Sequence, residues 1–172
     1  QHQYYQAKGI PLRTRLIGNF ESMMWLFSFA PWLYNWMFSS PFPGRLLKSL
    51  VGFAPERSMP HLARQTVTRW FKREFVPASD GRLGKVCLFI DEFTNYNDAE
   101  IGITAIKLLD RLGFRVRTLP HRQSGRSYLS KGLLKPAQKL ARFNVQLFSE
   151  QLERDEILVG TEPSAILTFR DE

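Results

Sequence analysis

Three short apolar runs occur in the second half of the chain, and a polar turn follows each of them. The first run, KVCLFI at 85–90, shows little alternation between apolar and polar positions, which is typical of a strand covered by helices on both faces. Runs at 114–119 and 157–160 follow, and the segments between them have a helical spacing of apolar residues. This pattern predicts a parallel α/β domain of order βαβαβα, with three layers and right-handed crossovers.

Capping residues mark where the helices of this domain begin and end. Asn97, with Glu100 three residues later, predicts the start of a helix, and Gly113 predicts its end. The expected core side of this helix consists of Ile101, Ala105, Leu108, Leu109 and Leu112. A longer helix is predicted over 130–154, with Pro136 near its first turn, where proline is tolerated.

The first half of the chain lacks such strand patterns and is rich in aromatic residues. In the segment 21–42 Trp and Phe dominate, Pro31 and Pro41 interrupt it, and Pro43 follows it. Three explanations remain open: a helix pair buried against the rest of a larger protein, an anchor lying in a membrane interface, and a membrane span. The apolar part at 23–38 has only 16 residues, fewer than the about 20 that cross a bilayer. Trp and Tyr beside Lys and Arg also suit the headgroup region of a membrane.

Two more amphipathic helices are predicted before the first strand. One covers 45–53, and its packing face is formed by Leu46, Leu47, Leu50 and Val51. The other covers 61–75 and carries basic residues on its outer face. Its inward residues are Leu62, Val67, Trp70 and Phe71. A basic helix face is usually a solvated face, and no recognition motif indicates nucleic acid.

A stretch at 77–84 with Pro, Ser and Gly marks the predicted boundary between two segments. Residues 1–84 are interpreted as a helical, basic and aromatic linker segment, and residues 85–172 as the α/β domain. Residues 1–84 hold 11 Lys+Arg and 4 Asp+Glu, a balance of +7, whereas residues 85–172 hold 13 and 12, a balance of +1. All four Trp lie in the first segment. A basic aromatic segment of this kind suggests a surface for an anionic partner.

The single cysteine, Cys87, lies within the first apolar run. One thiol excludes a disulfide framework and a cysteine-rich metal site, and its apolar setting predicts an inert core residue. No signal peptide is evident, so a cytoplasmic location is expected. The chain begins with Gln and stops within a periodic segment, and we therefore expect it to be a piece of a longer protein.

The polar turns after the three runs hold the candidate site residues. Parallel strands place their carboxyl ends at one edge of the sheet, so Asp91, Glu92, His121 and Glu162 are expected to lie close together. Oxygen and imidazole ligands suit a divalent metal such as zinc or manganese. The alternative is a set of turn residues that cap helices, with Asp91 or Glu162 paired with Arg126. Arg126 is also suited to receive a phosphate or a carboxylate.

The sequences of the three turns, DEFTNYNDAE, HRQSGRSYLSKG and EPSAILTFRDE, together resemble a known domain. They are similar to the cysteine-rich CCG domain of iron–sulfur-binding subunits, in the form found at the carboxyl end of FAD-linked oxidases of the D-lactate dehydrogenase and glycolate oxidase type. In that form the turns read Asp-Thr-Phe followed by Asn-Tyr, Cys-Cys-Gly-Arg followed by Gly, and Glu-Pro-Ser-Cys ending in Asp-Glu. The resemblance covers about 85–172, and the motif residues kept are Gly125, Arg126, Ser130, Gly132, Glu162, Pro163 and Ser164.

The family's cluster cysteines are replaced in this chain. Gln123 and Ser124 stand at the paired cysteines, and Ala165 stands at the cysteine of the third motif. Iron in a cluster is held by thiolates, so the resemblance implies the fold and a vestigial cluster pocket without a metal. That pocket comprises Gln123, Ser124, Gly125, Arg126, Glu162, Pro163, Ser164 and Ala165. Because its side chains at the cysteine positions are neutral, Ser124→Ala is expected to cost little stability.

The resemblance implies an accessory module at the carboxyl end of a flavin- and iron–sulfur-containing oxidoreductase that oxidises a 2-hydroxy acid such as D-lactate or glycolate. No cofactor is expected in this fragment, while FAD and a [4Fe-4S] cluster are expected in the parent chain. The expected partners are the upstream flavin and ferredoxin-like domains of the same chain, and not nucleic acid. The alternative is a non-catalytic domain whose basic aromatic half docks a protein partner or the inner face of a membrane.

Overall fold

Helices occupy the first part of the chain, and three strands then alternate with further helices. The computed structural model describes residues 2–171. Before the first strand lie α1 (His2–Lys8), α2 (Leu12–Gly18), α3 (Phe20–Phe27), α4 (Pro31–Ser39), α5 (Pro41–Leu50) and α6 (Val67–Arg73). Then follow β1 (Lys85–Phe89), α7 (Glu92–Tyr96), α8 (Ala99–Leu112), β2 (Arg115–Arg117), α9 (Arg126–Leu129), α10 (Leu134–Gln151), β3 (Glu156–Gly160), α11 (Pro163–Ile166) and α12 (Thr168–Asp171).

The three strands form one parallel sheet in the order β2-β1-β3. Lys85 of the central strand lies opposite Arg115 on one side and opposite Glu156 on the other. Strand β1 is buried from Val86 to Phe89, as predicted for a strand covered on both faces. The predicted class, a parallel α/β domain preceded by a helical, aromatic-rich segment, is confirmed.

Alternate side chains of β1 enter two separate hydrophobic clusters. Val86 and Leu88 pack in one cluster with residues of α6 and α8. Cys87 and Phe89 pack in the other with residues of α10 and α11. Because helices cover the sheet on both faces, the domain has the three layers that the sequence predicted. The carboxyl end of β1 lies between the two helical layers.

Helix α8 buries a different stripe from the one that its leucines predicted. Its buried residues are Ala99, Gly102, Ile106 and Asp110. Three of the residues predicted to face the core are between 49% and 59% exposed, namely Ile101, Leu108 and Leu112. A Cβ atom at Gly102 would meet side-chain atoms of Val67 and Thr94 at 2.8 Å. The helix therefore approaches its neighbours most closely at this glycine, which turns the leucines outward.

The two ends of α8 differ in how well they were predicted. Gly113 ends the helix with φ of 107°, a left-handed conformation that favours glycine. The helix starts at Ala99 with no side-chain cap, and the Asn97 amide instead donates to the carbonyl oxygen of His61 at 2.7 Å. The predicted capping role of Asn97 is wrong because this amide joins the turn to the preceding segment.

Two other predicted helices are shorter in the structure. Helix α10 begins at Leu134, after the separate short helix α9, and Pro136 lies in its first turn as predicted. Helix α6 begins at Val67 because the hydroxyl of Thr66 accepts a hydrogen bond from Arg69 N at 3.2 Å, a typical N-cap. The residues before Thr66, predicted to be helical, are extended or bent.

Helix α5 faces the opposite way from the prediction. Leu46 and Leu50 are 52% and 70% exposed, whereas Lys48 is buried and donates through Nζ to a backbone carbonyl of the following loop at 2.9 Å. A Cβ atom at Gly44 would lie 2.9 Å from the carbonyl oxygen of Phe38. The close contact at Gly44 places Gly44 and Lys48, one turn apart, on the inner side and leaves Leu46 and Leu50 outside, whereas Leu47 and Val51 are half-buried.

Helices α3 and α4 pack on each other and on the segment before α6. Met24 and Tyr34 are the buried centre of this cluster. The Asn35 amide accepts from Leu62 N at 2.8 Å and donates to Leu62 O at 2.9 Å, so one side chain satisfies both backbone groups of Leu62. Within residues 2–171 no helix has both the length and the apolar character needed to cross a membrane.

Contacts cross the predicted boundary at position 84. Val67 and Trp70 of α6 share a hydrophobic cluster with strand β1. The carboxylate of Asp110 in α8 accepts from Ala78 N and Ser79 N at 3.1 to 3.2 Å, which fixes the stretch at 77–84 against the α/β unit. Helix α6 thus packs as part of a layer of that unit, while the division into 1–84 and 85–172 stays a prediction.

An ion pair between Arg117 of β2 and Glu156 of β3 spans the central strand of the sheet. Arg117 donates to the two carboxylate oxygens of Glu156 at 2.6 and 2.5 Å, and the Glu156 side chain is fully buried. We expect Arg117→Met to lower the free energy of unfolding at pH 7 by about 2 to 3 kcal/mol, because it leaves a buried carboxylate unpaired. Urea unfolding measures this change. Arg115→Met, at an exposed position of the same strand, is the control and should change the free energy by less than about 0.5 kcal/mol.

The pH dependence of the same pair provides a second check. The hydrogen bonds from Arg117 lower the pKa of Glu156. A carboxyl group with a lowered folded pKa adds stability above its unfolded pKa and loses it as the pH falls through the folded pKa. The difference between wild type and Arg117→Met should therefore shrink in acid. A difference that stays constant between neutral pH and acid would contradict the assignment to this ion pair.

Candidate functional site

Three turns meet at the carboxyl edge of the sheet. They cover 91–97, 121–127 and 161–165. Ser124 N and Ser124 Oγ donate to the two oxygens of Glu92 at 3.0 and 2.9 Å. The hydroxyl oxygens of Thr94 and Thr161 lie 3.1 Å apart. The convergence predicted from the parallel topology is confirmed by these contacts, since they join the first turn to each of the other two.

Asp91 caps the helix that follows the central strand. It is 1% exposed. Its Oδ1 accepts from Phe93 N at 2.9 Å and from Thr94 N at 3.0 Å, and its Oδ2 accepts from Thr94 Oγ1 at 2.5 Å. A buried carboxylate is stable only when hydrogen bonds replace its water, and here the first turn of α7 supplies them. Asp91 therefore has the capping role that was one of the alternatives from sequence.

Glu92 links the first turn to the second. Its side chain is 2% exposed, and Ser124 supplies a backbone and a side-chain donor to it. Gly125, with φ of 82°, turns the chain directly after these donors, and Arg126 N donates to Ser124 Oγ at 3.2 Å. Burial raises the pKa of Glu92, while the hydrogen bonds from Ser124 act in the opposite direction. The arrangement is a local cross-link between two loops.

His121 is held as a neutral imidazole by the hydrogen bonds at its two nitrogens. Ile90 N, which is a donor, lies 3.0 Å from Nε2, so Nε2 is the acceptor. The proton is therefore on Nδ1, which donates to Arg122 O at 2.8 Å. Burial lowers the pKa of His121, in agreement with this tautomer. The ring packs on Phe89 with centroids 4.3 Å apart.

Glu162 organises the third turn. Its Oε2 accepts from Ala165 N at 2.6 Å and also from Ser164 Oγ. Pro163 occupies the first position of α11, where the missing N–H costs no hydrogen bond. Ala165 is 3% exposed and packs against the cluster below β1 that contains Phe89. The Glu-Pro-Ser sequence thus forms an N-cap.

The sequence patterns did not indicate the buried side-chain amide of Asn144 on α10. Asn144 is 2% exposed, accepts from Arg122 N at 2.9 Å, and donates to Arg122 O and Gln123 O at 3.2 and 3.0 Å. The available signal was its spacing, since it lies seven residues after the buried Ala137 and on the same helix stripe. Gln123 is itself buried, and its Oε1 has no hydrogen-bond partner among the described residues.

A further carboxyl group, that of Glu21, reaches this edge from the first half of the chain. The ring of Phe20 on α3 stacks on that of Phe93 on α7, with centroids 4.8 Å apart. This contact brings Glu21 close to Glu92. Burial, and then the charge of Glu92, raise the pKa of Glu21 to about 7, whereas Arg122 acts in the opposite direction. No local pattern could reveal Glu21, because its setting depends on how α3 docks.

The residues at this edge do not fit a metal or a cluster. Within residues 2–171 no group of three or more His, Cys, Asp or Glu side chains is arranged to hold a metal ion. A cluster needs thiolates, and Gln123, Ser124 and Ala165 stand where the resemblance described above would place cysteines. The thiol of Cys87 is fully buried in β1, and burial raises its pKa to about 11. An iron–sulfur cluster is therefore not assigned to this segment.

A groove of about 550 Å³ lies next to the second turn. Ser124 and Gly125 line it together with Phe169 and the exposed face of α10. Two other positions of the predicted cluster pocket, Gln123 and Ala165, are buried and do not line this groove. The vestigial cluster pocket stays a prediction from the resemblance, and the contacts described above give its residues structural roles.

The contact with Glu92 changes the expectation for Ser124→Ala. The substitution removes a donor to a buried carboxylate, so we expect the free energy of unfolding at pH 7 to fall by about 1 to 3 kcal/mol. Chemical denaturation measures the change. Ser149→Ala is the matched control, because Ser149 is exposed and only donates to the carbonyl of Gln146 in its own helix. Equal stabilities of the two variants would show that the Glu92 contact contributes nothing.

The raised pKa of Glu21 predicts a stability change with pH. A carboxyl group whose folded pKa exceeds its unfolded value favours the folded state at low pH, and this contribution is lost as the pH rises toward the folded pKa of about 7. We expect Glu21→Gln to be more stable than wild type at pH 8 by about 1 to 2 kcal/mol, after allowance for solvent screening. Below about pH 4, where Glu21 is protonated in both the folded and the unfolded state, the two should agree.

Thermal unfolding of wild type and Glu21→Gln across this pH range is the measurement. Glu100→Gln is the control, because Glu100 is exposed in the first turn of α8. Its stability should follow the wild-type curve at every pH. A Glu21→Gln curve that runs parallel to wild type would mean that Glu21 ionises normally in the folded protein.

The chain is similar along nearly its whole length to one segment of much longer enzymes. Over 178 aligned residues it is 27% identical to the D-2-hydroxyglutarate dehydrogenase of Escherichia coli (strain K12), and the alignment covers 99% of this chain and 18% of that enzyme. Enzymes of the same name from Pantoea ananatis (strain AJ13355) and Haemophilus influenzae (strain ATCC 51907 / DSM 11121 / KW20 / Rd) are 25% identical, with 99% of this chain and 17% of each enzyme covered.

These similarities are distant and concern only part of each relative. The chain spans less than a fifth of the length of the curated relatives it matches. No family model matches the chain. No solved structure matches it either. The comparisons therefore relate this chain to a portion of D-2-hydroxyglutarate dehydrogenases.

Proposed function

We propose that the chain is an accessory segment at the carboxyl end of a flavin- and iron–sulfur-containing oxidoreductase that oxidises a 2-hydroxy acid. D-2-hydroxyglutarate is the proposed substrate of the whole enzyme, with D-lactate and glycolate as the alternatives. The observation that carries this proposal is the alignment of 99% of the chain with one segment of D-2-hydroxyglutarate dehydrogenases. Flavin and cluster chemistry are assigned to other segments of that enzyme.

Two features of the chain support this reading independently of the alignment. The three turn sequences resemble those of the CCG domain in FAD-linked oxidases, as described above. The structure also brings these turns to one edge of a parallel sheet, where ligands of open α/β sheets bind. The proposed partners are accordingly the flavin and ferredoxin-like domains of the same polypeptide.

The local role proposed for this segment is structural. Asp91, Glu92 and His121 could serve as acids or bases by residue type, but hydrogen bonds within the turns occupy them. A general acid or base needs an atom directed at the substrate. The pair of Glu92 and Ser124 instead ties two turns together at the position where relatives of the CCG type hold a cluster. No catalytic residue is assigned to this segment.

A second function is favoured by one specific observation. Several large aromatic side chains of the first half are more than half exposed, Trp32 at 71% among them. Such a surface suits a domain that docks a partner, whether or not a dehydrogenase is attached. Contact at the inner face of a membrane is proposed on the same ground, and a cytoplasmic location is proposed as expected from the sequence.

The polypeptide encoded by the full reading frame around this chain provides the test. After purification it should contain FAD and iron, and it should reduce an artificial acceptor with D-2-hydroxyglutarate faster than with D-lactate or glycolate. Flavin absorbance, iron analysis and initial rates are the measurements. A full-length protein without flavin would overturn the proposal, and a preference for D-lactate or glycolate would move it to that substrate.

Variants in the same full-length protein test the structural role. Asp91→Asn and Glu92→Gln should leave turnover within about threefold of wild type, far from the roughly 10²-fold or greater loss expected for a general acid or base. Gln123→Ala should leave the iron content unchanged, because an amide is not a cluster ligand. A folded Glu92→Gln protein that loses turnover would assign catalysis to this edge. Loss of iron in Gln123→Ala would place a cluster here.

A further inference from the structure

The helices of the first half expose large aromatic side chains on the side away from their own core. The exposed fractions are 56% for Trp25, 66% for Phe29, 71% for Trp32, 60% for Trp36 and 80% for Phe42. The rings of Trp25 and Phe29 contact each other edge to face at 5.2 Å. We refer to these five residues as the aromatic surface.

The same helices also bury an apolar side. Met24 of α3 and Tyr34 of α4 are 0% and 1% exposed, and the Tyr34 ring contacts those of Phe27 and Phe38 at 5.1 and 4.7 Å. A surface helix of a globular protein usually has one apolar stripe and one polar side. Helices that are apolar on two sides need a second apolar environment, so the aromatic surface is a binding surface.

A basic cavity borders two residues of the aromatic surface, Trp25 and Phe29. It has a volume of about 280 Å³, and Arg69, Lys72 and Arg73 of α6 line it together with Trp25 and Phe29. None of these three cations forms a salt bridge with a carboxylate of residues 2–171. We refer to the three cations as the basic cluster. Their free charge beside exposed rings favours a ligand that is anionic at one end and apolar at the other.

Two carboxyl groups lie near the basic cluster, and neither forms a salt bridge with it. Glu74, the residue after α6, accepts a hydrogen bond from Gln65 Nε2 at 2.6 Å. Glu21 lines a neighbouring cavity with Trp25 and Leu26, and its pKa is raised to about 7 by burial and by Glu92. About half of the Glu21 carboxyls are therefore uncharged near neutral pH.

We infer that the aromatic surface and the basic cluster bind the surface of an anionic phospholipid bilayer. Lipid phosphates would lie at the cations of α6, and the Trp rings would enter the interface, where Trp is enriched in membrane proteins. Helices α3 and α4 have 8 and 9 residues, so they suit an orientation along the membrane plane. Each cation near an anionic surface adds attraction that salt screens.

Charge distribution favours a bilayer over a protein as the occupant. Residues 1–84 carry a balance of +7, from 11 Lys+Arg and 4 Asp+Glu, whereas residues 85–172 carry +1. Three cations beside exposed Trp and Phe rings also have the basic and aromatic composition of segments that bind anionic membrane surfaces. This inference deepens the second function proposed above and rests on it, but it does not depend on the enzyme, because it uses only contacts and charges of this chain.

Vesicle sedimentation tests the inference with the 172-residue chain. At low salt the chain should sediment with phosphatidylglycerol vesicles at least about tenfold more tightly than with phosphatidylcholine vesicles, and high salt should release it. Trp emission should shift to the blue as rings enter the interface. Equal affinity for the two lipids, or no sedimentation with either, would overturn the inference.

Matched charge variants test the basic cluster. Arg69→Gln/Lys72→Gln/Arg73→Gln should weaken binding to phosphatidylglycerol vesicles by about tenfold or more. The control removes the same charge from the exposed positions Lys135, Lys139 and Arg142 of α10, each changed to Gln, and should weaken binding by no more than about twofold. Equal weakening by both triple variants would mean that the vesicles attract the net positive charge of the chain and not the basic cluster. That result would overturn the proposed site.

A second pair of variants tests the aromatic surface. Trp32→Ala/Trp36→Ala removes two exposed rings that lie one turn apart on α4 and should reduce vesicle binding by about tenfold. Val145→Ala, at an apolar position of α10 that is 57% exposed, is the control and should bind as wild type. Circular dichroism checks that each variant is folded. Unchanged binding by the folded Trp variant would contradict the inference.

Two further outcomes would assign the surface to other ligands. Binding of inorganic phosphate by the chain, without vesicle binding, would identify a free phosphate site and overturn the bilayer. The full-length polypeptide should bind the same vesicles as the 172-residue chain. If only the short chain binds them, the aromatic surface is covered by another part of the same polypeptide, and a protein contact replaces the bilayer.

Discussion

The central strand β1 is the constraint on which the other elements depend. It is bonded to a parallel strand on each side and buried on both faces, so its carboxyl end delivers Asp91 and Glu92 into the interior. Buried carboxylates are costly unless donors replace water. The turn after β1 therefore begins a helix that Asp91 caps, and the next turn must approach closely enough for Ser124 to reach Glu92. The position of the site edge follows from the topology of one strand.

The parts of the structure that were predictable from sequence are those fixed by local chemistry. An apolar run without alternation indicated a doubly covered strand, and Gly113 indicated a left-handed helix end. The convergence of the three turns followed because every parallel βαβ unit places its strand-to-helix loop at one edge. Asp91 and Glu162, each followed by backbone N–H groups of a starting helix, were also open to a capping interpretation. The strand, the helix end at Gly113 and the two caps each depend on residues a few positions away, and the convergence follows from the order of the strands.

The parts that could not be predicted depend on contacts between distant segments. The buried stripe of α8 is set by the approach of Val67 to Gly102, and the local sequence at neither residue indicates that contact. Lys48 is buried because its Nζ meets a backbone carbonyl beyond the end of α5, although lysine usually marks a solvated face. Glu21 acquires its raised pKa only when Phe20 stacks on Phe93. Helical periodicity ranks residues by hydrophobicity, whereas the closest approach of two helices selects small or hydrogen-bonded ones.

Side-chain amides and hydroxyls connect the two halves and join the turns at the edge of the sheet. Asn95 accepts from Thr68 N and Thr68 Oγ1, each at 3.1 Å, which joins α7 to α6. The pair of Glu92 and Ser124 joins the first two turns without any thiolate. Short polar side chains can close such loops where the sheet already brings them within hydrogen-bond distance. The geometry of the turns comes from β1, and the hydrogen bonds only secure it.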